Sequence, residues 1–410
     1  MLILLLTLQQ SVQQALEQSP LLRNETEKVE IARADETSAR YARFPTLDFS
    51  AKTGLQSTSP QLSATEPWAS QLGVVLSEPL YDGGLSGIKS DAASAGRELA
   101  ELRRQEIRNQ VALKVYSGFY DFSLAESVRS AVQEQQTLYE NQYLLVSQLF
   151  KQGYKTEKEK DKFEAELERV RLDFRQAQNE KTQARAALAS TLGNGQPDRD
   201  FVPIPAQSLS LSAPEKWPAA EDVLSIRITH KETSNSTFAT QIAERAYYPR
   251  LDVTGGLSYQ NSKWVGPGSS LTAGQATDAN LMLTLSYNLW DWGTRRRTVE
   301  SQRRRTAVQE GLEQIERLEV EKQLALLKND FDQAAANLKN ATHLLELEGK
   351  NHETLLSDYR EGRASSLDLI TGMNNLLDAK RRHLRSAFLT AQTLAKNRYY
   401  LGTIHENQTQ

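Results

Sequence analysis

The chain has 410 residues and no cysteine, and its 49 lysines and arginines nearly balance its 52 aspartates and glutamates. This near balance excludes binding to nucleic acid that is driven by a net positive charge. The lack of cysteine excludes disulfides and thiolate metal sites. No apolar run approaches the ~20 residues that a membrane-spanning helix needs.

The sequence contains an internal repeat. Three landmarks of the first copy recur 209 positions later: Tyr81–Gly84 as Trp290–Gly293, Gly153 as Gly362, and Leu192-Gly193 as Leu401-Gly402. A fourth landmark, Phe44–Asp48, recurs as Tyr248–Asp252 at a distance of 204, so the second copy has five additional residues before its aspartate–glycine landmark. Copies of a repeat are structural units that pack on one another, so the repeat decides the architecture.

The first copy begins as a helix and then changes to strands. Leu8–Arg43 is helix-forming, with Pro20 tolerable only in a first turn or at a kink. In Leu47–Leu55 and Leu72–Leu80, apolar and polar residues alternate, which is typical of strands with one apolar and one wet face. The stretch Gln56–Pro67, rich in serine, threonine and proline, is predicted to be the loop between them.

The second copy repeats this pair of strands over Leu251–Tyr259 and Leu281–Leu289. The intervening stretch, Asn261–Ala279, is rich in glycine, serine and threonine. It is predicted to be a loop that contains the five additional residues.

Each aspartate–glycine landmark is followed by a long helical pattern. Leu85–Leu149 and Arg295–Tyr359 contain no proline, and about 65 residues at ~1.5 Å each make a helix on the order of 100 Å long. Gly153 and Gly362 mark turns, after which about 40 residues run back. The apolar stripes are narrow, which favours coiled-coil-like walls over compact cores. They comprise Val111, Val115, Phe119 and Phe122 in the first copy and Leu324, Leu327, Phe331 and Leu338 in the second.

Four amphipathic strands cannot close a barrel, because about eight are needed and every strand edge in lipid needs a partner. The predicted strands are about ten to twelve residues long, near the ~9–11 that cross a bilayer when tilted. Two chains would supply eight strands, whose interior is filled by side chains, and three chains would supply twelve, a known barrel size. The sequence therefore predicts an α+β fold. Two antiparallel strands and long coiled-coil-like helices are duplicated, and three chains form a twelve-stranded transmembrane barrel continued by a helical barrel.

The predicted segments are a first structural repeat over residues 7–193, a linker over 194–218, a second repeat over 219–402 and a tail over 403–410. Residues 1–6 are apolar but too short for a signal-peptide core, and they lack a basic start and a cleavage site. We interpret them as a trimmed leader or as a sign that the true start lies upstream. The second interpretation is favoured, because an outer-membrane barrel must be exported.

The chain resembles the TolC-type outer-membrane efflux and secretion channels over nearly its whole length. The matching segments are Leu8–Leu16 with Ser19-Pro20, Tyr248–Leu251, Leu80–Gly84, Leu289–Gly293 and Tyr359-x-x-Gly362-x-x-Ser365-x-x-Asp368-Leu369. The resemblance implies a homotrimer whose barrel lies in the outer membrane and whose helices cross the periplasm. It also implies docking onto a periplasmic adaptor that joins the channel to an inner-membrane transporter. The implied function is the exit duct of a tripartite efflux system or a type I secretion system.

The resemblance places the periplasmic entrance at the two helical turns, near Lys151–Glu159 and Arg360–Asp368. The residues expected there are Gly153, Lys155, Glu159, Tyr359, Gly362, Arg363 and Ser365. Tyr359 matches the latch tyrosine of the family. The usual latch arginine falls on Ala364, with Arg363 one place earlier, so the sequence departs from the family's latch at this position.

The acidic ring that constricts the pore in the family is matched here by Asp368, while its second position falls on Thr371. The alternative is that Asp368 only stabilises the first turn of its helix. The run Lys155–Lys162 is more charged than its counterpart in the second copy. It is either a solvated helix face with i,i+4 ion pairs or an electrostatic docking surface for an adaptor.

Two arginine triplets, Arg295–Arg297 and Arg303–Arg305, follow the last strand. Their counterparts in the first copy, Ser86–Ile88 and Ser94–Gly96, are uncharged, so the shared architecture does not need them. We expect contact with lipid headgroups or an acidic neighbouring subunit, and no nucleic-acid binding. A membrane girdle of aromatic residues is predicted at the strand ends, with core packing as the alternative. It comprises Trp68, Trp264, Trp290 and Trp292.

No motif for catalysis accompanies these features. The five histidines have no H-E-x-x-H spacing, and there is neither a phosphate-binding loop nor a nucleophile elbow. We therefore expect no enzymatic activity, no cofactor and no metal. The alternative function is a non-membrane coiled-coil scaffold, which would account for the long helices but not for four amphipathic strands.

Overall fold

The computed structural model describes residues 6–55, 65–193, 200–209, 211–265 and 271–405. Parts of several predicted segments lie outside the described residues. These are residues 1–5 of the proposed leader, 56–64 and 266–270 of the two predicted loops, 194–199 and 210 of the linker, and 406–410 of the tail. The chain divides into two compact units. Unit 1 comprises Met1–Glu27, Leu102–Ile228 and Gln314–Gln410, and unit 2 comprises Lys28–Glu101 and Thr229–Glu313.

The helices follow the predicted pattern. They are α1 (Leu8–Gln18), α2 (Pro20–Tyr41), α3 (Leu85–Lys151), α4 (Glu157–Thr191), α5 (Leu224–Glu244), α6 (Thr294–Arg360) and α7 (Ser366–Leu401). Pro20 is the first residue of α2, where its missing N–H would have no partner in any case. Among the described helices, none combines the length and the apolar content that crossing a bilayer requires.

The strands form one antiparallel sheet in unit 2, in the order β1 (Thr46–Leu55), β2 (Thr65–Tyr81), β3 (Arg250–Val265) and β4 (Leu271–Ser286). Two predicted loops were too long. Residues 261–265 and 271–279 are strand, and β2 begins inside the predicted loop of the first copy. Glycine, serine and threonine disfavour strands only weakly, so pairing along the ladder outweighs their composition.

The prediction that the last strand extends to Leu289 was also wrong, because β4 ends at Ser286. Ser286 lies opposite Arg250, the first residue of β3, so the residues after Ser286 have no partner on β3. The length of β4 is therefore set by its neighbour and not by its own alternation.

The two hairpins have equivalent registers. Thr46 lies opposite Ser77 in the first hairpin, and Arg250 lies opposite Ser286 in the second. Thr46 and Arg250 are 204 positions apart, and Ser77 and Ser286 are 209 apart, the same distances as the sequence landmarks. The repeat is therefore structural as well as sequential.

The sheet exposes large apolar side chains. Leu47, Phe49, Leu281, Leu283 and Leu285 are all more than 60% exposed in one chain. Because a soluble monomer rarely leaves such a contiguous apolar surface in water, this face requires lipid or another protein surface.

Three apolar cores lie in the described residues of unit 1, and two of them are the larger ones. The predicted stripe of Val111, Val115, Phe119 and Phe122 is buried against α1, α4 and Phe201 of the linker. A second core, between α3, α4, α6 and α7, is formed around the buried side chains of Tyr139, Phe163, Tyr359, Leu369 and Met373. Full burial of one such side chain contributes about 1.5–3 kcal/mol. This second core fixes the ends of the long helices, where the predicted entrance lies.

Candidate functional site at the helical turns

Both pairs of long helices in unit 1 reverse at turns of the same design. α3 ends at Lys151 and α4 begins at Glu157, while α6 ends at Arg360 and α7 begins at Ser366. Gly153 and Gly362 have φ angles of 81° and 75°. This left-handed conformation ends a helix at little cost only when the residue has no Cβ. The turns therefore lie where the glycines predict them.

Each turn leads into a capping box. Thr156 Oγ1 accepts the N–H of Glu159, whose carboxylate accepts the N–H of Thr156. Ser365 and Asp368 exchange the same two hydrogen bonds at the start of α7. Each pair of equivalent residues is 209 positions apart, so the caps belong to the repeat. A capping box satisfies backbone N–H groups that the helix leaves free.

Four side chains link the two turns, and we call them the turn cluster: Lys155, Glu159, Tyr359 and Ser366. Ser366 Oγ donates to Glu159 Oε1 at 2.8 Å, and the Tyr359 hydroxyl lies 3.4 Å from Ser366 Oγ. Lys155 Nζ lies 3.1 Å from Glu159 Oε1 and 4.7 Å from the centroid of the Tyr359 ring. Glu159 of the first copy thus binds Lys155 of its own turn and Ser366 of the second copy. Ser366 in turn lies next to the hydroxyl of Tyr359.

The turn cluster rests on the apolar core. Tyr359 is 4% exposed and Ser366 is buried, and the ring of the buried Phe163 lies 6.2 Å from that of Tyr359. Burial opposes ionisation of Glu159, but the backbone N–H of Thr156 and the side chains of Ser366, Lys155 and Thr156 outweigh it and lower its pKa to about 2. Glu159 is therefore a carboxylate at neutral pH.

Asp368 and Thr371 both lie on the exposed side of α7. The side-chain hydroxyl and then the backbone N–H of Ser365 lower the pKa of Asp368, so this group is ionised at neutral pH. Thr371 Oγ1 donates to the carbonyl of Leu367 in its own helix at 2.8 Å. The cap assigned to Asp368 by the alternative interpretation is present, and its carboxylate remains open to solvent.

Arg363 is held within its own turn. Its Nη2 lies 2.7 Å from Asp358 Oδ1, and its guanidinium also contacts Glu361. The run Lys155–Lys162 forms i,i+4 ion pairs of the kind expected of a solvated face: Lys155 Nζ lies 3.1 Å from Glu159 Oε1, and Lys160 Nζ lies 3.6 Å from Oε2 of Glu164, just beyond the run. Its role as a docking surface stays a prediction.

Sequence reasoning missed two residues at these turns. Ser366, which joins the copies, gives no signal beyond following the capping serine. Tyr154 lies in the first turn with 77% of its surface exposed. Its exposure could have been inferred only from its place beside Gly153.

The junction between β4 and α6 has an unusual backbone. Trp292 is 84% exposed at a φ of 57°, a conformation that costs a residue with a Cβ about 1–2 kcal/mol. The equivalent residue of the first copy is Gly83, with a φ of 68°. Arg295 fixes the turn by binding Asp291 at 2.7 Å and the carbonyl of Asn288 at 2.8 Å.

Trp290 is 73% exposed, and its ring lies 5.7 Å from that of Trp292 in an edge-to-face arrangement. Trp68 and Trp264 belong to β2 and β3, and their side chains lie outside the described residues. The aromatic girdle therefore stays a prediction. Each arginine triplet contributes an ion pair within the chain: Arg295 pairs with Asp291, and Arg303 pairs with Glu244 of α5 at 2.7 Å.

Comparisons with known proteins decide the family. The sequence profile of the family described as "Outer membrane efflux protein" matches residues 11–194 and 226–402. The chain belongs to this family of outer membrane efflux proteins. Its two matched segments are the two copies of the repeat, so the predicted family, duplicated fold and channel function are confirmed. The chain is accordingly a channel of the outer membrane that extends into the periplasm, and neither an enzyme nor a soluble scaffold.

Individual relatives agree with the family assignment. Protein CyaE of Bordetella pertussis is 24% identical over 397 residues, which cover 95% of this chain and 83% of CyaE. The fold is similar to that of the outer membrane protein VceC of Vibrio cholerae, with a TM-score of 0.80, 15% identity and 96% of each chain covered. It is also similar to the open state of the MtrE outer membrane channel of Neisseria gonorrhoeae, with a TM-score of 0.80, 20% identity and 98% and 90% covered.

Ser366→Ala tests the turn cluster of this efflux protein. We expect the free energy of unfolding to fall by about 1–3 kcal/mol at pH 7, because Glu159 loses a hydrogen bond to its charged form. Folding lowers the pKa of Glu159 from ~4.3 in the unfolded chain to about 2, so the ionised carboxylate stabilises the folded state above pH ~4.3. This stabilisation is lost as the pH falls toward about 2. The difference between wild type and variant should therefore shrink below pH 4 in thermal unfolding of the detergent-solubilised protein.

The matched control is Thr371→Ala, which removes a hydroxyl that, among the described residues, is bonded to a carbonyl of its own helix. That variant should stay within about 0.5 kcal/mol of wild type. If Ser366→Ala is as stable as this control at pH 7, the hydrogen bond to Glu159 does not stabilise the turns.

Proposed function

We propose that three copies of this efflux protein form one continuous duct, which accepts substrates from an inner-membrane transporter through a periplasmic adaptor. The observation that carries the proposal is the sheet. In the described residues, β1 pairs only with β2 and β4 pairs only with β3, so each chain has two free strand edges. Unpaired N–H and C=O groups cost several kcal/mol each in lipid, where no water can bind them.

The size of the assembly follows from the strand number. Three chains bring twelve strands, which is within the even-numbered range of outer-membrane barrels, and eight strands would leave an interior filled by side chains. A stripe of apolar residues on α6 supports contacts between subunits: Val308, Leu312, Ile315 and Leu318 are all exposed in one chain. Their spacing of three or four residues places them along one side of the helix.

The trimer is tested by mass. Native mass spectrometry of the protein extracted from outer membranes in mild detergent should give three times the mass of one chain. These 410 residues have a mass of 46.1 kDa. We expect this mass because the free edge of β1 in each chain is paired with the free edge of β4 in a neighbouring chain. A stable particle of one or two chains would contradict the proposed duct.

The adaptor is proposed to dock at the helical turns. Tyr154 offers an exposed aromatic ring, and Lys158, four positions later in the charged run, is also exposed. Exposed aromatic side chains flanked by charge are typical of protein–protein contacts, since the ring supplies buried area and the charge orients the partner.

Photo-crosslinking tests this docking. Benzoylphenylalanine in place of Tyr154 should capture a periplasmic adaptor in living cells, identified by mass spectrometry. The same probe in place of Tyr41, an exposed tyrosine of unit 2, is the matched control and should not. If position 41 captures the adaptor and position 154 does not, the contact is not made at the turns.

Asp368 is proposed to line the narrowest part of the duct. Three carboxylates at a wet constriction would concentrate cations and repel anions. The exposed position of Asp368, and the lowered pKa that keeps it ionised, support this role. Thr371 lies about one helical turn further along α7 and would contribute a hydroxyl to the same constriction.

Asp368→Asn separates this role from capping. In planar bilayers we expect weaker cation selectivity and weaker block by multivalent cations, because the ring loses its charge. Ser365→Ala is the control, since it removes the cap and keeps the carboxylate. It should lower stability by about 1 kcal/mol with unchanged selectivity. Unchanged selectivity in Asp368→Asn would place the constriction elsewhere.

A further inference from the structure

We propose that β4 of one subunit pairs with β1 of the next in a register dictated by the internal repeat, with Ser286 directly opposite Ser50 of the partner subunit. The proposal rests on the proposed trimer and adds to it a residue-by-residue interface. Its basis is the pairing of β2 with β3, which is the one contact between the two copies in the sheet of a single chain.

The repeat transfers register correctly where this can be checked. Shifting Thr46 by 204 positions and its partner Ser77 by 209 gives Arg250 and Ser286, and these two residues do lie opposite each other. The two distances taken from sequence landmarks therefore convert the first hairpin into the second without a slip.

The same operation converts the β2–β3 pairing into a contact between subunits. Ser77 lies opposite Thr254, and Glu78 lies opposite Val253. Adding 209 to the β2 residue and subtracting 204 from the β3 residue places Ser286 opposite Ser50 of the partner subunit. It likewise places Tyr287 opposite Phe49 of the partner subunit.

Side-chain chemistry supports this register independently. On one face it brings Tyr287 opposite Phe49 of the partner subunit and Leu285 opposite Ala51 of the partner subunit. On the other face it brings Ser286 opposite Ser50 of the partner subunit and Thr284 opposite Lys52 of the partner subunit. A slip of one residue would set every apolar side chain against a polar one, because successive residues point to opposite faces.

The end of β4 gives a further argument. Residues 78 and 79 and Tyr81 of β2 extend beyond the start of β1 and are paired with β3 alone. Their equivalents, residues 287, 288 and 290, follow the end of β4 and have no strand partner among the residues that the structure describes. A neighbouring β1 in the transferred register would complete the ladder for these residues.

The test uses the absence of cysteine from the chain. A variant with Ser50→Cys and Ser286→Cys should, after mild oxidation in the membrane, run on denaturing gels as covalent trimers that a reductant returns to single chains. Directly opposite Cα atoms lie ~4.5–5.5 Å apart, within the ~4.4–6.8 Å that a disulfide spans. Within one chain, β1 and β4 are three strand spacings or ~14 Å apart, so the disulfide can form only between subunits.

Two controls keep Ser286→Cys and move the second cysteine along the same face, to Asp48→Cys or to Lys52→Cys. Diagonal neighbours lie ~7–8 Å apart, beyond the reach of a disulfide, so both variants should stay as single chains. A second matched pair, Thr284→Cys with Lys52→Cys, should cross-link and guards against a folding defect of the first.

The possible outcomes are distinct. If either control cross-links more than both matched pairs while the particle keeps the mass of three chains, the register is wrong. The trimer would still be supported. A particle with the mass of one chain would overturn the trimer and the register together. Cross-linking of both matched pairs with neither control supports the register.

Discussion

The backbone of the sheet imposes the constraint on which the rest of the structure depends. Each free strand edge presents N–H and C=O groups that hydrocarbon cannot satisfy. Because β1 and β4 each have one such edge in the described chain, the fold of a single chain is incomplete in a membrane. The exposed leucines and phenylalanine of the sheet add the same requirement, since they need lipid or a subunit around them.

Duplication produces two hairpins of equivalent register, and it also permits the copies to diverge. Gly83 and Trp292 occupy equivalent positions with positive φ. A Cβ on Gly83 would lie 2.4 Å from the Cβ of Tyr248, so the first copy must keep its glycine. In the second copy, Trp292 is 84% exposed, so a large ring is accommodated at that position. Equivalent positions differ because their surroundings differ.

The two capping boxes illustrate the same principle at the turns. Glu159 and Asp368 are equivalent, and each accepts a hydrogen bond from the backbone of its capping residue. Glu159 is also bound by Lys155 and Ser366, which joins the copies, whereas Asp368 keeps its charge open to solvent. The same capping box thus includes a glutamate that links the copies at one turn and a solvent-exposed aspartate at the other.

The sequence by itself determined the repeat, the long helices, the glycine turns and the family. The helices and the turns are encoded over short distances, by helical period or by a residue with special backbone freedom, whereas the repeat and the family show when distant segments are compared with one another or with a family pattern. Tertiary structure alone decided the lengths of β3 and β4, where Asn261 is strand because Gln275 pairs with it. It also decided the turn cluster, because the contact between Glu159 and Ser366 joins residues 207 positions apart. Local sequence patterns do not indicate which distant side chains come into contact when the four helices pack.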